Sequence, residues 1–133
     1  MPGLPGESTD DKHQNEIDLI SYTQTAGGKG CFSAVAVKSL DRASPGLAVL
    51  AVARQVVSPV TVTLVKAAET PLEVFVAVLE KVSIGTVELV EVDGDPLPVE
   101  RVTLLPRRAT LTYRQQNIDG SLGEPTTTFV TCK

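Results

Sequence analysis

Residues able to do chemistry crowd into one short stretch of this chain. ESTDDKHQNEID, from Glu7 to Asp18, brings Asp10, Asp11, His13, Glu16 and Asp18 close together along the chain. Carboxylates and a neutral imidazole bind divalent metals or move protons when a rigid frame makes them converge. No known ligand spacing joins these five, and they follow Gly3-Leu4-Pro5-Gly6, which is turn material. A solvated acidic loop accounts for them without a metal. His13 is the only histidine, so a Ser-His-Asp triad would have to use it, and no serine sits in a G-x-S-x-G elbow. A Cys-His nucleophile pair from Cys31 or Cys132 has nothing to support it. Gly27-Gly28-Lys29-Gly30 lacks the G-x-x-x-x-G-K-[ST] spacing of a phosphate loop. Asp93-Gly94-Asp95 lacks the spaced acids and closing Glu of a calcium loop, and reads as a turn. The sequence therefore assigns no catalytic, cofactor-binding or metal-ligating residue, and the expectation is a protein that is not an enzyme and carries no cofactor.

Composition narrows the class further. A chain of 133 residues is the size of one domain, expected here to span 1–133. Hydrophobic residues make up 42% and aromatics only 4%, so the core must be built from Val, Leu, Ile and Ala. A net charge of −4 and a pI near 4.9 give nucleic acid no electrostatic footprint. No run of eighteen apolar residues exists to cross a membrane, and no apolar h-region follows a charged start. Export, if it occurs, would need a route other than a signal peptide. Cys31 and Cys132 are expected to be free thiols, as is usual in a cytosolic protein.

The elements that would position any site are mostly strands. Ile17, Leu19 and Ser21 alternate with Asp18, Ile20 and Tyr22, as the two faces of a strand do. Glycine-rich Thr25–Gly30 is a loop, and Cys31–Lys38 alternates again. Ser44-Pro45-Gly46 opens a helix, with Ser44 placed to cap its free N–H groups and Pro45 in the first turn. Leu47, Leu50, Ala51 and Arg54 form a narrow stripe at i, i+3, i+4 and i+7, and Ser58-Pro59 ends the helical stretch. Val60–Ala67 is a half-buried strand. Leu72–Leu79 is apolar on both faces and is expected to be the most buried strand, with Val76 in the core. Ser83–Val92, Val99–Leu105, Ala109–Gln115 and Thr126–Cys132 complete at least seven strands separated by short turns. Such spacing predicts an antiparallel β-barrel or two-sheet sandwich with one short α-helix.

The wording of several segments resembles the haemolysin-coregulated protein (Hcp) family, the tube proteins of bacterial type VI secretion systems. GLPGESTDDKHQNEIDLISY, from Gly3 to Tyr22, is similar to the family's G-x-x-G-E-S-x-D-x-x-H segment and the E-I-D strand after it. Phe32–Ala53 resembles the next strand, the K-x-x-D-x-x-S-P connection and the short helix. Thr61–Ala67 resembles the following strand, and Leu72–Ile84 the long central one. Val99–Gln116 is similar to the E-x-V-x-L run that ends in a hydrophobic-x-Tyr pair, and Asn117–Gly123 to the polar turn before the last strand.

The resemblance implies a ring subunit. Hcp proteins form hexameric rings that stack into a tube, carry small effectors in the lumen, and are expelled by a contractile sheath. The expected partners are further copies of this chain, sheath and spike components, and small effector proteins. The expected place is the bacterial cytoplasm before assembly and the outside of the cell afterwards. Members usually begin with an apolar strand ahead of the first turn, where only Met1-Pro2 stands here. That expectation leaves one barrel edge open, and it supports the alternative of a non-polymerising Hcp-like adaptor or effector carrier. A phage tail-tube-like protein is the other alternative within the fold.

Overall fold

The computed structural model describes residues 17, 19–27, 31–66, 72–91, 98–117 and 119–132. Within them lie β1 (Ser21–Ala26), β2 (Phe32–Ser39), α1 (Ser44–Ala53), β3 (Val56–Val57), β4 (Val60–Lys66), β5 (Leu72–Glu80), β6 (Val82–Val90), β7 (Val99–Leu105), β8 (Arg108–Gln116) and β9 (Leu122–Thr131). The strands form two antiparallel sheets, one in the order β1-β2-β7-β6-β3 and the other in the order β4-β5-β8-β9. The expected antiparallel sandwich with one short helix is the observed fold.

The core lies between the sheets. Phe32, Ala34, Ala36, Val82, Ile84, Val102 and Leu104 fill it from the first sheet, and Val60, Val62, Ala77, Leu79 and Ala109 from the second. Inward residues fall on alternate positions because side chains alternate across a strand. Small alanines at the centre let the two sheets approach where few aromatics are available to fill space. Leu47 of α1 is buried against this core, while Val49 and Val52 on the opposite side are 64% and 86% exposed.

Four sequence expectations need correction. The first strand begins at Ser21 rather than Ile17, because pairing with β2 starts at Ser21↔Val37. The two-residue strand β3 was not foreseen: Val56-Val57 pairs only with Val82 and Ser83 of β6. β5 is interior to its sheet, but it is not the most buried strand. It has two buried positions, Ala77 and Leu79, against four in β2. Val76 lies on the outer face beside Thr63 and Thr112 and is only partly buried, so it is not in the core.

The fourth correction concerns the cysteines. Cys31 and Cys132 are joined in a disulfide across 101 residues, with Cα atoms 5.8 Å apart. Sequence spacing carries no trace of this pairing. It follows from the fold, which brings the start of β2 and the end of β9 within the reach of a disulfide.

Candidate functional site

The one dense polar cluster among the described residues is inside the protein. Lys38, at the end of β2, is 2% exposed, and Glu100, across on β7, is 4% exposed. The register Lys38↔Glu100 places the two side chains side by side on the inner face. Lys38 Nζ donates to Glu100 Oε1 at 2.6 Å, to Ser44 Oγ at 3.2 Å and to the carbonyl of Ser39 at 3.0 Å. It also pairs with Asp41 Oδ1 at 2.9 Å. Ser44 Oγ donates to Glu100 Oε1 at 2.5 Å and accepts from the Asp41 amide at 3.0 Å.

This arrangement corrects the capping role expected of Ser44. Its hydroxyl makes no cap, and the residue before the helix is Ala43. Asp41 holds the turn that enters the helix, with Oδ1 accepting from the Ala43 amide at 3.0 Å and its carbonyl accepting from the Ser44 amide at 3.1 Å. A serine beside a lysine and a carboxylate is a composition that nucleophilic enzymes use. Ser44 is only 7% exposed, however, and it spends its proton on Glu100. The cluster acts as a clamp that seats the start of α1 on the first sheet. In the sequence Lys38, Asp41 and Ser44 belong to the K-x-x-D-x-x-S-P segment and Glu100 to the separate E-x-V-x-L run. Nothing in the spacing says that the pieces meet.

The surfaces available for contact are the outer sheet faces and the sheet edges. On the outer face of the second sheet, Thr63, Val76, Thr112 and Thr127 form one cross-strand row, and Thr61, Val78, Thr110 and Phe129 form the next. No charge stands in either row. Thr112 and Thr127 share a hydroxyl hydrogen bond of 3.2 Å. At the rim, Arg108 meets Glu80 at 3.5 Å and lies over the Phe129 ring at 5.6 Å. The edges are β1 and β3 in the first sheet and β4 and β9 in the second. β9 is the longest strand, with ten residues, six of them consecutively exposed.

Of the residues considered for chemistry, Asp10, Asp11, His13, Glu16 and Asp18 lie outside the described residues, as do Gly28-Lys29-Gly30 and Asp93-Gly94-Asp95. No group of three metal-binding side chains occurs among the described residues. The turn before β9 is polar as expected. The Ser121 amide and hydroxyl donate to Asp119 Oδ1 at 3.0 and 2.6 Å, holding its carboxyl below the usual carboxylate range.

Tyr22 on β1 is packed partly against the core, and its hydroxyl donates to Gln24 Oε1 at 2.8 Å. Burial pushes its phenol up from 10.0 to about 12. A raised folded-state pKa means that the contribution is present below pH 10 and is lost as pH rises through about 12. The expected result is a thermal midpoint that falls across that window, and a flatter profile in Tyr22→Phe when both are melted at matched pH.

Comparison with known proteins decides the family. Residues 1–113 match the family model described as type VI secretion system effector, Hcp. The chain belongs to the Hcp family. This Hcp-family chain is similar in structure to Hcp1 from Salmonella typhimurium, with a TM-score of 0.85 and 25% identity over 97% of this chain and 88% of that one. A type VI secretion system effector from Yersinia pestis gives a TM-score of 0.82 at 23% identity, covering 97% of this chain and 94% of that one. The secreted protein Hcp3 from Pseudomonas aeruginosa shares the fold with a TM-score of 0.71 at 17% identity, covering 92% and 80%. A comparison with curated proteins gives no match. The Hcp family is one of type VI secretion tube and effector proteins and is not a known enzyme family.

Proposed function

We propose that this chain is the structural ring subunit of a type VI secretion tube, closing into hexameric rings that hold small effectors in the lumen and leave the cell through the apparatus. Membership of the Hcp family over residues 1–113 carries the reading. The sheet edges, which no strand among the described residues pairs, supply the means. A head-to-tail ring needs two different, complementary edges on each subunit, and unpaired N–H and C=O groups are ready to receive a neighbour's strand. β9 offers the longest such edge, and Pro125 within it suits an edge position because it has no N–H to donate. Sheath and spike components and small effectors are the partners that follow from this reading.

Size-exclusion chromatography with light scattering tests it. The expected mass is near six times 14.1 kDa, with rings visible in negative stain. Each interface would bury on the order of 1,200–2,000 Å². A particle of 14.1 kDa at the highest soluble concentration would replace the ring reading with that of a non-polymerising carrier.

A further inference from the structure

Viewed from the β3 and β4 side, the two sheets run in parallel order: β3, β6, β7, β2 above β4, β5, β8, β9. Three of these four facing pairs are joined by the chain itself. Ser58-Pro59 connects β3 to β4, Lys81 connects β5 to β6, and Pro106-Arg107 connects β7 to β8. Hydrogen bonds tie the three crossings into one rim. The Lys81 amide donates to Ser58 Oγ at 3.1 Å, the Arg107 amide to the Glu80 carbonyl at 3.1 Å, and the Cys132 amide to the Arg107 carbonyl at 2.7 Å. The fourth pair, β2 and β9, has no chain connection. There the rim is completed by the disulfide between Cys31 and Cys132.

β9 has little else to hold it. Among the described residues its strand partner is β8 alone, six of its side chains are exposed in succession, and Val130 is the one residue of the strand packed on the core. A strand with few buried apolar contacts opens at low free-energy cost. On the other side of the seam, Cys31 sits at φ 62, a left-handed conformation that a side chain other than glycine rarely adopts, with its carbonyl accepting from the Gly27 amide at 2.6 Å. Both cysteines are half-buried against the edge of the core.

We propose that Cys31–Cys132 is a redox clasp on the seam between β2 and β9, whose reduction frees the end of the edge strand while the remaining strands stay folded. A thiolate attacks one Sγ, breaks the S–S bond and forms a mixed disulfide, and the departing cysteine thiolate takes up a proton. A second thiol of the reductant resolves the mixed disulfide, leaving two protein thiols and one oxidised reductant. A reducing cytosol supplies such thiols, whereas outside the cell a small disulfide restores the bond by the reverse exchange, leaving as two thiols. The clasp therefore fixes β9 outside the cell and releases it inside. The release of β9 on reduction rests on the fold, and its inside-to-outside direction rests on the export proposed above.

Hydrogen exchange read by mass spectrometry tests it on the full chain, oxidised and then treated with a small dithiol, with thiols counted in both states. Reduction is expected to reveal two thiols and to speed exchange of the β9 amides about tenfold, with β5, β6 and β7 changed less than about twofold. C31S/C132S should show the same pattern without reductant and no response to it. Unchanged β9 exchange overturns the proposal. So does equal acceleration in every strand, or failure of C31S/C132S to fold, because either makes the bond a staple for the whole domain.

Discussion

Replacing Lys38 by methionine is expected to lower the unfolding free energy by about 3–5 kcal/mol, read from urea denaturation midpoints. The cation is 2% exposed and answers two carboxylates, Glu100 and Asp41, together with the Ser44 hydroxyl. Its removal leaves Glu100, 4% exposed, charged or protonated without its main partner. Desolvation of an unpaired carboxylate costs far more than the packing that a methionine retains. The Lys38→Met/Glu100→Leu pair should recover part of the loss, because it removes the stranded Glu100 carboxylate while Asp41 and the Ser44 hydroxyl still lose their partners. A double variant no better than Lys38→Met would show that the clamp is valued for something other than paired charge. The exposed pair of Arg101 and Glu88, 3.6 Å apart and each about half exposed, is the contrast. Breaking it should cost under about 1 kcal/mol.

The second large effect separates the two faces of β5. Leu79 is 0% exposed and points between the sheets, so Leu79→Asp buries a charge with no partner and should cost several kcal/mol, enough to unfold a typical domain. Val76, in the outer Thr63–Val76–Thr112–Thr127 row, is only partly buried by its lateral neighbours. Val76→Asp should therefore melt far closer to the parent than Leu79→Asp does. Circular-dichroism melts of the two side by side check this, and equal losses would mean that the outer face is as dry as the inner one.

The contrast at β5 also shows what was legible in the sequence. Alternation of Val, Leu and Thr and the absence of helical periodicity outside Ser44–Ala53 fix the class, because side-chain period follows directly from backbone geometry. The wording of Gly3–Tyr22, the K-x-x-D-x-x-S-P segment and the E-x-V-x-L run gave the family, which the match over residues 1–113 shows. Alternation says which residues share a face, but not which face is covered. Leu72–Leu79 is apolar on both sides, so its pattern could not tell Leu79 from Val76. That was decided by the second sheet's position against the first.

The same limit applies to the polar residues. Lys38 and Glu100 are 62 positions apart, and their contact exists because β2 and β7 are antiparallel neighbours in register. Ser44 stood where a helix cap is expected, and only the nearness of Glu100 drew its hydroxyl away from that role. Cys31 and Cys132 are separated by 101 residues, and their pairing needed two sheets stacked in parallel order. Local pattern follows from the covalent chain and is written in every few residues. Contacts between distant segments depend on strand order and sheet stacking, which in this protein only the tertiary structure decided.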